Sequence, residues 1–286
     1  MAMFNFSGKK ITGIVCAASM AVTFILTAVL FSMIFVVGNN GILGNRPATE
    51  KPTPSRNTDE ETKKQIAELQ QTVADIDAKL SDPYLLLVNK SNPLPDGYVQ
   101  TALVSASVNP TMKLESITEL HFKEFVEASV SEGIACIFVS GYRTRTEQNK
   151  VYNETLQSYV NAGYTADRAE AIVSINVQKA GQSDFETGLA VQITAARGMT
   201  SEEMTKSDLF KYARDNMYKF GFILRYPEGK AAVTEYDYNP FVYRYVGAEH
   251  AEYMYKNGLT LEEYIDFLKA MKANAEHQIA QLSVGA

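Results

Sequence analysis

From Ile11 to Gly38 the chain runs for twenty-eight residues without a charge, rich in Ile, Val, Leu, Phe and Ala. About 20 apolar residues already cross the hydrocarbon core of a bilayer, where a helix satisfies every backbone polar group internally. A secretory signal peptide has a shorter apolar core, roughly 7–15 residues, closed by a small-residue cleavage site. Gly38-Asn39-Asn40 is a poor site of that kind, and Cys16, after Gly13-Ile14-Val15, stands too early in the run for a lipoprotein signal. Lys9 and Lys10 precede the run, and positive flanks stay in the cytoplasm. The expectation is therefore a cytoplasmic tail over residues 1–10 and a transmembrane signal anchor over 11–38. The remainder then lies outside the cell membrane of a single-pass protein.

Charge narrows the partners of that remainder. The formal net charge is −6 and the pI about 5.3, without the basic balance of a nucleic-acid binder. Of the two cysteines, Cys16 lies in the apolar run and Cys136 in a β-like segment, so no disulfide is expected between them.

Residues 39–57 carry Gly, Asn, three prolines and scattered charges with no period, the composition of a linker. Residues 58–81 then place Ile66, Leu69, Val73, Ile76 and Leu80 at alternating spacings of three and four, with Asp59, Glu60 and Glu61 at the start. That pattern predicts a helical stalk with a heptad seam. Two heptads fit a short coiled coil, giving a homodimer through residues 66–80, and equally a helix docked on its own domain. Residues 84–275 read as one mixed domain, with 276–286 as a C-terminal tail. Helices are expected over 116–131, 146–162, 207–220 and from about 248 onward, with a break at Gly258 and a last helix from Leu261. Strands are expected over 134–140, 189–194, 222–225 and 243–246. Their order lacks a regular βαβ alternation, which predicts an α+β fold.

Spacing alone offers little catalytic chemistry. His121, His250 and His277 have no partner at metal-ligand spacing, and neither a phosphate-binding glycine loop nor a nucleophile elbow occurs. Cys136, inside an apolar run, reads as a buried, inert thiol.

Six blocks nevertheless occur in one order: Leu87–Pro95, Ser140-Gly-Tyr-Arg-Thr144 with Gln148 and Tyr152, Gly181–Gln192, Gly221–Pro227, Asn239–Gly247 and Gly258–Tyr264. Together they resemble the VanY-type D-alanyl-D-alanine carboxypeptidases over roughly residues 84–268. The resemblance implies a D,D-peptidase-like α+β domain, with a central antiparallel sheet flanked by helices. The transmembrane helix and the short helical stalk precede it.

Active members of that family bind zinc through a His, an Asp seven residues later and a second His, with a Glu three residues before the last as general base. Three protein ligands leave a coordination position open for water, whose pKa the metal lowers to about 7. In this sequence the aligned ligand positions hold Phe185, Gln192 and Val242, and the base position holds Asn239. Phe and Val have no lone pair to donate, and an amide does not accept a proton near neutral pH. The resemblance thus implies no catalytic residue and no cofactor here, although the family uses zinc. It also implies retained substrate-binding residues: Ser140, Arg143, Gln148 and Ser183, with Arg143 suited to a peptide's terminal carboxylate. The expected partner is a peptidoglycan stem peptide or an envelope protein. The alternatives are an active carboxypeptidase with an atypical metal site, and a structural scaffold acting through the stalk.

Overall fold

The computed structural model describes residues 56–284. The expected cytoplasmic tail, the expected signal anchor and most of the expected linker lie outside the described residues, and among the described residues no helix is long and apolar enough to cross a membrane.

Helix α1 (Arg56–Leu80) leads through a 3-10 turn at Pro83–Leu85, which Asp82 caps by accepting from the Tyr84 N–H, into the lead-in segment. A hairpin follows, β1 (Leu103–Ala106) against β2 (Asn109–Glu115), and then α2 (Ser116–Ser131) and β3 (Ile137–Ser140). The helical pair α3 (Arg145–Asn161) and α4 (Ala166–Asn176) precedes a 3-10 turn at Asp184–Thr187 and β4 (Ala190–Thr194). The rest is α5 (Ser201–Lys206), α6 (Asp208–Asn216), β5 (Phe222–Tyr226), α7 (Ala231–Thr234), β6 (Asn239–Tyr245), α8 (Ala248–Asn257) and α9 (Leu261–Val284). The main sheet is antiparallel throughout, in the order β3-β4-β6-β5. The α+β expectation with a central antiparallel sheet therefore holds, with a separate two-stranded hairpin added to it.

One face of the sheet buries Val191, Ile193, Tyr243 and Phe222 against Phe122 and Phe125 of α2 and Leu209, Phe210 and Ala213 of α6. Alternation along each strand leaves the other face for the cleft. Local chemistry sets the helix starts. Thr144 and Glu147 form a reciprocal capping box at α3, as do Thr200 and Glu203 at α5.

The stalk is a helix as expected, and its seam is used within the chain. Ile76 is buried with Leu261, Ile265 and Leu268 of α9, and Leu80 packs on the same cluster. Both helices leave the domain from that cluster, so they run antiparallel, tied by Lys272 Nζ to Asp77 Oδ1 at 2.6 Å. Of the two arrangements open to the seam, this is docking on its own domain. Two further boundaries differ from expectation. Residues 276–284 continue α9 instead of forming a tail, because Ala275, Ile279 and Leu282 keep its apolar stripe going. The helix expected over 207–220 is α6 followed by a 3-10 turn at Met217–Phe220, with Gly221 left-handed at its end.

Candidate binding cleft

The site is built on the face of the sheet opposite the main core. Strand pairing sets Ser140 of β3 beside Gln192 of β4, and Gln192 beside Val242 of β6. These three residues thus form a row across three strands. Phe185 comes from the turn before β4, where Ser183 accepts from the Phe185 N–H at 3.3 Å. That turn closes at Gly188, whose φ is 71° and where an added Cβ would sit 2.9 Å from the Glu115 backbone nitrogen. A residue with a side chain would be strained and crowded there, so the glycine fixes the path into β4.

Phe185 and Val242 share one buried apolar cluster with Ala190, Tyr226 and Tyr236. The Tyr236 hydroxyl in that cluster is buried and has no hydrogen-bond partner among the described residues. Over the Phe185 ring lies the Arg143 guanidinium, 4.2 Å from the ring centroid. Its Nε donates to Ser140 Oγ at 3.1 Å and its Nη1 to Gln148 Oε1 at 3.1 Å. The Gln148 amide is held in turn by the Gln178 carbonyl, at 2.6 Å. Among the described residues Arg143 forms no ion pair. Burial lowers its pKa, with the charge of Glu147 acting in the opposite direction. A half-buried guanidinium hydrogen-bonded only to neutral side chains still has donors to offer an incoming anion.

The expected binding residues therefore divide. Ser140 and Arg143 are part-exposed and face the cleft. Gln148 and Ser183 are fully buried, Gln148 positioning Arg143 and Ser183 shaping the turn that carries Phe185. Asn239 turns its Oδ1 back onto the Phe241 N–H at 3.0 Å, at the start of β6.

The donor set does not fit zinc. Phe185 and Val242 offer no ligand atom, and a guanidinium stands over the Phe185 ring, where a dication would be repelled. Three carboxylates near these residues are engaged elsewhere. Asp184 is fully buried between two arginines: Arg225 Nε donates to its Oδ2 at 2.7 Å and Arg244 Nη1 to its Oδ1. Burial alone would raise the Asp184 pKa, but Arg225 and Arg244 outweigh it and hold the group below its ordinary value. Glu186 accepts from the Gly181 N–H at 2.6 Å and faces Arg145, while Glu235 binds Ser91. Burial raises the Glu186 pKa against these bonds.

Sequence reasoning missed the network around Asp184. Arg225 also pairs with Glu262 of α9 and donates to the Val88 carbonyl, and Arg244 donates to the Leu86 and Tyr84 carbonyls. This clamp fastens the lead-in segment and the last helix under the cleft. The available signal was an arginine in each of two apolar strands, Phe222-Ile-Leu-Arg-Tyr and Phe241-Val-Tyr-Arg-Tyr. Cys136 is a mostly buried thiol whose pKa burial pushes up to about 12, consistent with an inert role.

Residues 111–248 match the sequence model described as VanY: D-alanyl-D-alanine carboxypeptidase. The structure is similar to that of VanYB in complex with D-alanine-D-alanine, with a TM-score of 0.57 and 34% identity, over 64% of this chain and 97% of that one. The chain belongs to the VanY D-alanyl-D-alanine carboxypeptidase family. A D-alanyl-D-alanine carboxypeptidase of Enterococcus faecalis is 35% identical over 183 residues, 64% of this chain and 65% of the relative's own length. This chain thus spans just under two thirds of that relative's length. A VanY variant from the VanB-type resistance cassette, solved in complex with Zn(II), has a TM-score of 0.57 and 34% identity, over 64% of this chain and 98% of that one.

Proposed function

We propose that this VanY-family chain is a metal-independent peptide receptor outside the cell membrane, tethered by residues 11–38, and that it has no carboxypeptidase activity. The observation that supports this reading is Arg143, stacked on Phe185 at the position of an expected metal ligand and in no direct ion pair among the described residues. Its ligand is a peptidoglycan stem peptide, whose terminal carboxylate meets the free edge of the Arg143 guanidinium. Placing apolar and amide groups at all four positions avoids leaving carboxylates and imidazoles desolvated without a cation, which is costly. The replacements are therefore coherent as a cleft that is stable without metal.

The competing reading is an active carboxypeptidase with an atypical metal site. Metal analysis of the purified full-length chain, with an assay for released D-alanine, separates the two. The receptor reading expects substoichiometric zinc and no D-alanine; stoichiometric zinc with D-alanine release would replace it with the enzyme. Topology has its own test. Reporter fusions after residue 57 are expected to be active only outside the cytoplasm, and cytoplasmic activity would remove the signal anchor.

A further inference from the structure

His250 of α8 is 6% exposed, and both of its ring nitrogens are committed where α1 meets the domain. Nε2 lies 3.4 Å from Oδ2 of Asp82, the residue that caps the 3-10 turn just after α1. Nδ1 lies 2.9 Å from the Tyr264 hydroxyl of α9. Tyr264 in turn packs in the apolar cluster that buries Ile76 of α1. One imidazole therefore joins the end of α1 to the start of α9.

Hydrogen-bond chemistry decides which form of the ring fits. A carboxylate only accepts, so the single proton of the neutral ring is assigned to Nε2, and Nδ1 accepts from the Tyr264 O–H. Burial pushes the Tyr264 pKa up to about 12, so that hydroxyl keeps its proton at neutral and acid pH. A second proton on His250 would set two donors against each other. The Tyr264 hydroxyl, on a buried side chain, has no other hydrogen-bond partner among the described residues.

The charges around the ring come from three elements. Lys79 of α1 pairs with Glu249 of α8, and Asp82 comes from the turn, while the uncharged Tyr264 of α9 stacks near Tyr253 of α8. Burial is the largest influence on His250 and lowers its pKa; Lys79 acts with it, and Asp82 and Glu249 act against it.

We infer that His250 is an acid-sensitive pin: its neutral ring holds α1 to α8 and α9, and its protonation loosens α1 and uncovers the seam of Ile66, Leu69, Val73 and Ile76. This is independent of the receptor reading above. The pin contributes in full above the ordinary histidine value of 6.5, and its contribution is lost as pH falls below that value. Asp184 loses its contribution only below 3.8, so the two acid steps are separate.

Hydrogen exchange of the full-length chain in detergent, between about pH 8 and about pH 5 and corrected for intrinsic rates, tests the pin. Protection across residues 60–80 is expected to fall with acid, by at most about tenfold per pH unit, the limit for one linked proton, while the sheet keeps its protection. His250→Gln is expected to flatten this dependence, and Tyr264→Phe, which removes the opposed donor, to shrink it. Either variant suffices, because the slope is read and not the absolute protection. A gain in protection on acidification would mean that Asp82 governs the ring, and would overturn the pin. A flat wild-type profile, a wild-type slope in the variants, or equal loss across the sheet would overturn it as well.

Discussion

Asp184 and Phe185 are adjacent in sequence and do opposite things. Asp184 neutralises Arg225 and Arg244, and Phe185 carries Arg143 on its ring face. Removing one partner of a buried charge pair strands the others, which costs about 3–5 kcal/mol. Asp184→Asn is therefore expected to lower unfolding free energy by about that amount in a urea titration, with little change for Glu147→Gln at the surface. Its pH dependence follows from the depressed pKa. Asp184 stabilises the fold fully above its ordinary value of 3.8, and that contribution is lost as pH falls toward its lower folded value. Wild type should lose stability on acidification below about pH 4, and Asp184→Asn should flatten that slope. An unchanged slope would mean another carboxylate carries it.

Phe185 offers a second test at this scale. Leu in its place keeps apolar volume but removes the ring face, which is worth about 0.5–2 kcal/mol to a guanidinium above it. Because that contact lies within the chain, Phe185→Leu is expected to lower the urea-derived stability by about that amount and to weaken stem-peptide binding as Arg143 loses its support. Equal affinities for the two proteins would show that the ring does not position Arg143.

At the scale of elements, the stalk and the last helix act as one antiparallel arm. The buried contact of Ile76 with the α9 cluster and the Asp77–Lys272 pair hold its base, while Ile66 and Leu69 farther out are only half-buried. Ile76→Ala is expected to cost about 2–5 kcal/mol of docking. Hydrogen exchange should show it as faster exchange across 60–80 with the sheet unchanged. Uniform acceleration throughout the domain would mean that the arm and the domain unfold together. A homodimer through residues 66–80 requires this arm to open. Sedimentation of the full chain in detergent is expected to give a monomer, and Ile76→Asp, which frees the seam, is expected to raise self-association.

How much was legible in the sequence follows from the range of the interactions. Helices α2 and α3 and strands β4 and β5 were placed to within about three residues, because periodicity, caps and glycine stops are local signals. The β1–β2 hairpin was missed: Leu103–Ala106 and Asn109–Glu115 are short, polar on their outer faces and contain Pro110, so neither looks like a strand alone. The binding row was half legible. The blocks gave Arg143, Phe185, Gln192 and Val242, but only strand register places Ser140, Gln192 and Val242 side by side. The clamp was invisible because its partners are far apart in sequence, Asp184 with Arg225 and Arg244, and Arg225 with Glu262.

At the scale of the whole molecule, a VanY fold carries a cleft in which Arg143 is fixed by Ser140, Gln148 and the face of Phe185. Restoring the four family residues together, by Phe185→His, Gln192→Asp, Asn239→Glu and Val242→His, is expected to create zinc binding at one equivalent, because the backbone that places them is retained. Failure of that quadruple variant to bind zinc while remaining folded would mean that the cleft has also changed shape. The most direct measurement is calorimetric titration of the full-length chain with a stem pentapeptide in excess chelator, with mass analysis of the recovered peptide. Saturable binding with the peptide intact, lost in Arg143→Gln, is the expected result; absence of heat, or recovery of a peptide one D-alanine shorter, would contradict the account.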